Sequence, residues 1–164
     1  QGEFIVDGKI VRTSSLDWIS KVGYVTQDTY LIDDSIRKNI AFGVEDSQID
    51  EKKINEIIEL VQLKELIKSL PDNANTIVGE RGSTLSMGQI QRIGIARALY
   101  RNTDILLLDE ITSSLDRINT EKIYQLIKKM KTLKTIIVIT HELSNDSIFD
   151  QIYDLKNNTF QKIS

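Results

Sequence analysis

Cysteine is missing from all 164 residues of the chain, which removes disulfides, thiolate metal ligation and thiol chemistry together and suits a reducing compartment. Histidine and proline occur once each, as His141 and Pro71. The longest apolar runs, residues 105–108 and 136–139, hold four residues, where a membrane span needs roughly 20. The sequence therefore crosses no bilayer. A basic surplus is also missing: 21 Lys and Arg stand against 24 Asp and Glu, a net charge of -3, which argues against a nucleic-acid backbone as partner. A starting Met is missing as well, and Gln1 leads directly into Glu3, Phe4, Ile5 and Val6 with no signal-peptide pattern, so the chain is expected to be cut from something longer. What remains, 40% hydrophobic and 27% charged, suffices for one domain with its own core.

Strand and helix patterns alternate throughout, which is the α/β rhythm. Residues 4–6 and 9–11 flank Asp7-Gly8, a pair that tolerates the positive φ angles of a two-residue hairpin turn. A short strand is expected at 22–26. Ile54, Ile57, Ile58 and Val61 fall at i, i+3, i+4 and i+7, one face of a helix, with a second helical segment at 63–70 before Pro71. Residues 105–108 and 135–139 are continuous apolar runs, as expected of parallel strands covered on both faces. Between them Ile123, Leu126, Ile127 and Met130 repeat at helical spacing, and Lys128, Lys129, Lys131 and Lys134 place cations at the helix C-terminus. That is a βαβ crossover. Residues 151–156 and 159–163, around Asn157-Asn158, read as a closing hairpin.

Three strands run into polar groups that a core cannot use: Val25-Thr26 into Gln27, Leu107-Leu108 into Asp109-Glu110, and Ile139-Thr140 into His141. Ligands of open α/β sheets bind outside the carboxyl ends of the strands, so the three are expected to converge on one crevice. Asp109 and Glu110 suit a division of labour in nucleotide hydrolysis, one carboxylate holding Mg2+ through its water shell and the other activating water. Ser86, three residues before Gln89, forms a capping box that defines a helix start. The loop before it, Gly79-Glu80-Arg81-Gly82-Ser83-Thr84, feeds that N-terminus, where free N–H groups suit an anion and Gly88 permits close backbone approach.

Together these segments resemble the ATP-binding cassette ATPases. Leu85, Ser86, Met87, Gly88 and Gln89 resemble the family's signature motif, 105–110 its Walker B strand with a catalytic Glu, Ser113-Ser114-Leu115-Asp116 its D-loop, Gln27 its Q-loop and His141 its switch histidine. Residues 76–82 resemble the X-loop of exporter-type cassettes. The resemblance implies a parallel-sheet P-loop NTPase core of the ABC type, with 1–27 and 101–164 in the sheet core and about 28–100 an inserted helical subdomain. It implies ATP and Mg2+ as cofactors. Asp109 and Gln27 would serve the metal, Glu110 would be general base and His141 would contact the γ-phosphate. Ser86, Gly88 and Gln89 would contact a nucleotide held by a second nucleotide-binding domain in a head-to-tail dimer, with Asp116 communicating across that interface. Glu80 would couple to a transmembrane domain on the cytoplasmic face of a membrane; Trp18, Tyr24 and Tyr30 could line the face it meets, although aromatic residues near short strands are more often core or rim packing. Met87 departs from the usual Gly at a position that faces away from phosphate in the family.

The larger departure is the phosphate cradle. Gly, four residues and Gly-Lys-Ser/Thr would wrap the phosphates with backbone N–H groups, and no such run exists here; Gly2 to Gly8-Lys9 has five intervening residues and ends in Ile10. The expectation is a C-terminal piece of an exporter's ATPase domain, truncated before the P-loop strand and inactive alone. In the family that strand pairs with the one at 135–140, and its absence leaves an edge expected to make the piece self-associate or to draw in the closing hairpin. The alternatives are a docking module that never had a P-loop and a cassette ATPase of DNA repair or chromosome maintenance.

Overall fold

The computed structural model describes residues 5–12, 15–141, 146–156 and 159–163. The chain opens in a small antiparallel hairpin, β1 (Ile5–Val6) and β2 (Lys9–Ile10). Asp7 and Gly8 take φ of 49° and 74° at its turn, the left-handed pair that the Asp-Gly dipeptide allows. A single helical turn, α1 (Leu16–Ile19), follows and is capped by Ser15.

The centre is a three-stranded parallel sheet in the order β3 (Val22–Val25), β4 (Ile105–Asp109), β5 (Thr135–Ile139). In register, Gly23, Leu106 and Ile136 share one face with Val25, Leu108 and Val138. Those side chains join the core formed with α5 (Met87–Tyr100) and α6 (Arg117–Met130). Between β3 and α5 lie α2 (Ile36–Ile40), α3 (Glu51–Leu60) and α4 (Lys64–Ser69). Ile54, Ile57, Ile58 and Val61 are all buried in that same core, as their spacing requires. At the end of α6, the Lys131 ammonium donates to the Ile148 carbonyl at 3.0 Å and pairs with Asp150 at 2.7 Å.

The sheet departs from expectation on its other face. Continuous apolar runs predict cover on both sides, yet Tyr24, Ile137 and Ile139 are 55%, 48% and 45% exposed. Both long helices pack on the Gly23–Leu106–Ile136 side, and β5 has β4 as its only neighbour in the sheet among the described residues. The closing hairpin, β6 (Tyr153–Lys156) and β7 (Thr159–Lys162), forms a separate antiparallel sheet. It does not enter the slot beside β5. Its Asn157-Asn158 turn lies outside the described residues.

Candidate functional site at the strand ends

β4 carries the first two groups. Asp109 is its last residue and pairs with Ile139 of β5; Glu110 follows with φ of 49°, a conformation that strains a non-glycine residue by about 1–3 kcal/mol and persists only when its surroundings over-determine it. Here they do. The Glu110 amide donates to the Ile139 carbonyl at 2.9 Å, while its own carbonyl accepts from the Ser113 amide at 3.1 Å and the Ser113 hydroxyl at 2.8 Å.

That backbone turn aims the carboxylate at the end of β5. His141 Nε2 lies 2.6 Å from Glu110 Oε1, in direct polar contact. The carboxylate side chain is 26% exposed and the imidazole 85%, so the pair sits at the mouth of a pocket of about 80 Å3 lined by Glu110, Thr112, Ser113, Thr140 and His141. Asp109 points elsewhere: its Oδ2 accepts a 2.7 Å hydrogen bond from the Tyr24 hydroxyl on neighbouring β3. This bond is the main cause of the raised Tyr24 pKa, because loss of the phenol proton would set two anions against each other.

Gln27, two residues beyond β3, is exposed. Its carbonyl accepts from the Gln91 side-chain amide of α5. Ser86, Gly88 and Gln89 occupy the start of α5, where the capping box forms as expected: Gln89 N donates to Ser86 Oγ at 3.4 Å, and Ser86 N to Gln89 Oε1 at 2.8 Å. Gly88 has a packing reason not visible in the sequence. A Cβ there would stand 2.8 Å from Asn119 Cγ on α6. Asn119 is in turn held by Asp116, the α6 cap, whose carboxylate accepts from the Asn119 amide at 2.9 Å and from its Nδ2 at 2.7 Å. Those two bonds hold the Asp116 carboxyl below the usual carboxylate range. Seven of the predicted residues thus fall into two groups, Asp109, Glu110 and His141 at the strand ends, and Ser86, Gly88, Gln89 and Asp116 where α5 and α6 begin; Gln27 does not line the pocket at Glu110 and is tied through its carbonyl to α5.

Glu80 is exposed in a tight turn in which Gly79, Arg81 and Gly82 have φ of 74°, 54° and 74°. Sequence reasoning missed four residues that hold these parts: Tyr24 as the partner of Asp109, Asn119 behind Gly88, Gln91, and Arg97. The Arg97 guanidinium donates to the Asn39 and Tyr30 carbonyls at 2.9 Å each and to Asn39 Oδ1 at 3.1 Å; burial lowers its pKa. The one signal for Gln91 and Arg97 was their place among the apolar positions of a helix too hydrophobic to expose a full face.

The donor set fits one part of an Mg-nucleotide site. Asp109 and Glu110 offer hard oxygens to a metal's water shell and a base for water. The phosphate end does not fit: the sequence has no Gly-Lys-Ser/Thr cradle, and among the described residues no Lys or Arg lines the pocket at Glu110.

A parallel sheet with two carboxylates and an imidazole at its strand ends belongs to the α/β nucleotide-binding class. The family model described as "ABC transporter" matches residues 1–113, and the chain belongs to that family. It is similar to the multidrug resistance ABC transporter ATP-binding and permease protein of Lactococcus lactis subsp. lactis, 38% identical over 93% of this chain and 26% of that protein. The ATP-dependent lipid A-core flippase of Ralstonia nicotianae is 36% identical over 95% of this chain and 27% of that protein. Among solved structures, a bacterial Atm1-family ABC exporter with ATP bound superposes with a TM-score of 0.84 at 31% identity, covering 98% of this chain and 28% of that one. The chain spans about a quarter of the length of these relatives.

Proposed function

We propose that this chain is part of the nucleotide-binding domain of an ABC exporter, in which ATP hydrolysis at the strand ends of β4 and β5 drives transport through a membrane domain. The observation that carries the reading is the Glu110–His141 pair, 2.6 Å apart, on a backbone turn strained at Glu110. Glu110 takes the proton of an attacking water, and His141 holds the Glu110 carboxylate in place while presenting its exposed ring toward the phosphate side. Asp109 would hold the water shell of a bound Mg2+, and Gln27 would serve the same ion from the end of β3. ATP with Mg2+ supplies the scissile phosphoanhydride and the charge neutralisation that the chain's own groups lack. Ser86, Gly88 and Gln89 present the N-terminus of α5 to a nucleotide held by a second such domain, with Asp116 at the same interface. Glu80, outside the chemistry, contacts the membrane domain at the cytoplasmic face.

Because the sequence has no phosphate cradle, the chain alone is expected to release no phosphate from ATP. In the whole transporter, Glu110→Gln leaves nucleotide binding intact and slows turnover about 10²- to 10⁴-fold, the usual loss for a general base. Steady-state phosphate release with parallel nucleotide-binding titration checks this. Turnover at the parent rate in Glu110→Gln would overturn the assignment, and a non-catalytic docking module would show no turnover with either residue.

A further inference from the structure

Gln91 is 2% exposed on α5, and both ends of its side-chain amide are engaged more than sixty positions away in sequence. Nε2 donates to the Gln27 carbonyl, and Oε1 lies 2.8 Å from the Thr29 hydroxyl. The carbonyl of Gln27 can only accept, so the amide has one orientation, and the single Thr29 hydroxyl proton faces two acceptors, Gln91 Oε1 at 2.8 Å and the Thr26 carbonyl at 3.1 Å. One turn on, Gly94 lets Thr29 seat against the helix: a Cβ there would meet Thr29 Cγ2 at 2.7 Å and Oγ1 at 2.9 Å. A further turn on, Arg97 holds the Tyr30 carbonyl. One face of α5 therefore grips the backbone or side chains of residues 27, 29 and 30, while its N-terminus carries Ser86, Gly88 and Gln89.

We propose that Gln91 is a positioning residue that locks the Gln27 loop to the signature helix, so that the Gln27 side chain and the N-terminus of α5 move as one body. The inference rests on the function proposed above for Gln27 and the signature residues. A buried amide that merely filled space would be replaceable by a side chain of the same length; a latch needs its donor and its acceptor separately. Gln91→Glu keeps the acceptor for Thr29 but sets an oxygen against the Gln27 carbonyl. Gln91→Met keeps the length and loses both bonds. Thr29→Val, on the loop side, removes the hydroxyl alone.

The test is amide hydrogen exchange of residues 26–31 in the whole, nucleotide-free transporter, with residues 105–109 as the core reference and ATPase kcat and KM measured on the same variants. Expected is exchange of 26–31 about tenfold faster for each net hydrogen bond lost, so least in Thr29→Val and most in Gln91→Met, which loses both, with 105–109 unchanged. Thr29→Ser, which keeps the hydroxyl, restores parent exchange, and kcat falls more than KM changes in Gln91→Glu and Gln91→Met. Unchanged exchange at 26–31, or equal acceleration at 105–109, overturns the latch; if both Gln91 variants fail to fold, Gln91→Asn, which keeps the amide but shortens its reach, is read the same way, because Thr29→Val also removes the contact with the Thr26 carbonyl. Parent turnover in Glu110→Gln alongside a loosened loop would overturn the function proposed for the site and leave the latch standing.

Discussion

A single carboxylate can be read through its protons. Asp116 accepts two hydrogen bonds from Asn119 as the cap of α6, and its pKa is lowered first by the backbone bond and then by the side-chain bond. The sign follows from linkage: a carboxyl depressed in the folded state contributes stability above its unfolded value, about 3.9 for Asp, and loses it as pH falls through the folded value. Asp116→Asn keeps a capping oxygen but turns an amide toward Asn119 Nδ2. Thermal unfolding is expected to show this variant less stable than the parent at neutral pH, with the gap starting to narrow below about pH 4, where the unfolded carboxyl takes up its proton, and closing once pH has fallen through the lower folded value. A gap that stayed constant down to the folded pKa would show the charge to be irrelevant. Glu110 depends on its surroundings in another way. The Asp-Glu pair after an aliphatic strand was legible from sequence, but the left-handed backbone that turns Glu110 to His141 depends on three hydrogen bonds with residues 113 and 139, and no local pattern announces them.

At the scale of elements, the sheet and its helices meet where side chains are smallest. A Cβ on Gly23 of β3 would lie 2.8 Å from Thr103 Oγ1, 2.9 Å from Ala98 Cβ and 2.9 Å from Leu106 Cδ2. Thr103 is buried and its hydroxyl donates to the Ala98 carbonyl at 3.3 Å, so it cannot swing aside without losing that bond. Gly23→Ala is therefore expected to destabilise by about 1–3 kcal/mol, the usual cost of overpacking a filled core. Urea unfolding measures it, and a change under about 0.5 kcal/mol, the range of ordinary surface substitutions, would mean that α5 can retreat from β3 freely. The element boundaries themselves were largely legible. The capping box at Ser86 and Gln89, the Asp-Gly turn and the i, i+3, i+4 spacing of α3 are short-range signals, each decided by residues within one turn of one another.

For the whole molecule, the bare strand sets the expectation for the isolated chain. β5 has a neighbour on one side only among the described residues, and Ile137 and Ile139 stand half exposed on the uncovered face. Unpaired apolar edges recruit strands from other chains. The closing hairpin does not repair the edge: β6 and β7 form a sheet of their own that does not pair with β5. The isolated chain is accordingly expected to associate through β5, giving a mass by light scattering that rises with concentration and slowed amide exchange at 135–139. A monomer at every dilution with fast exchange there would overturn the expectation.

The sequence alone determined the α/β class, the order of the strands and of α3 to α6, the capped start of α5 and the three polar strand ends, because each depends on periodicity, turn chemistry or a strand's last residues; the short α1 and α2 were not read from it. Its reading of β4 and β5 as covered on both faces went wrong at β5, since an apolar run shows what a strand can bury and not what arrives to cover it. Only the tertiary structure decided which strand-end groups touch: Glu110 found His141, Asp109 found Tyr24, and Gln27 was taken by Gln91. Those pairings join residues 31, 85 and 64 positions apart, and parallel register between β3, β4 and β5, with the seating of α5 on β3, is what brings them within reach.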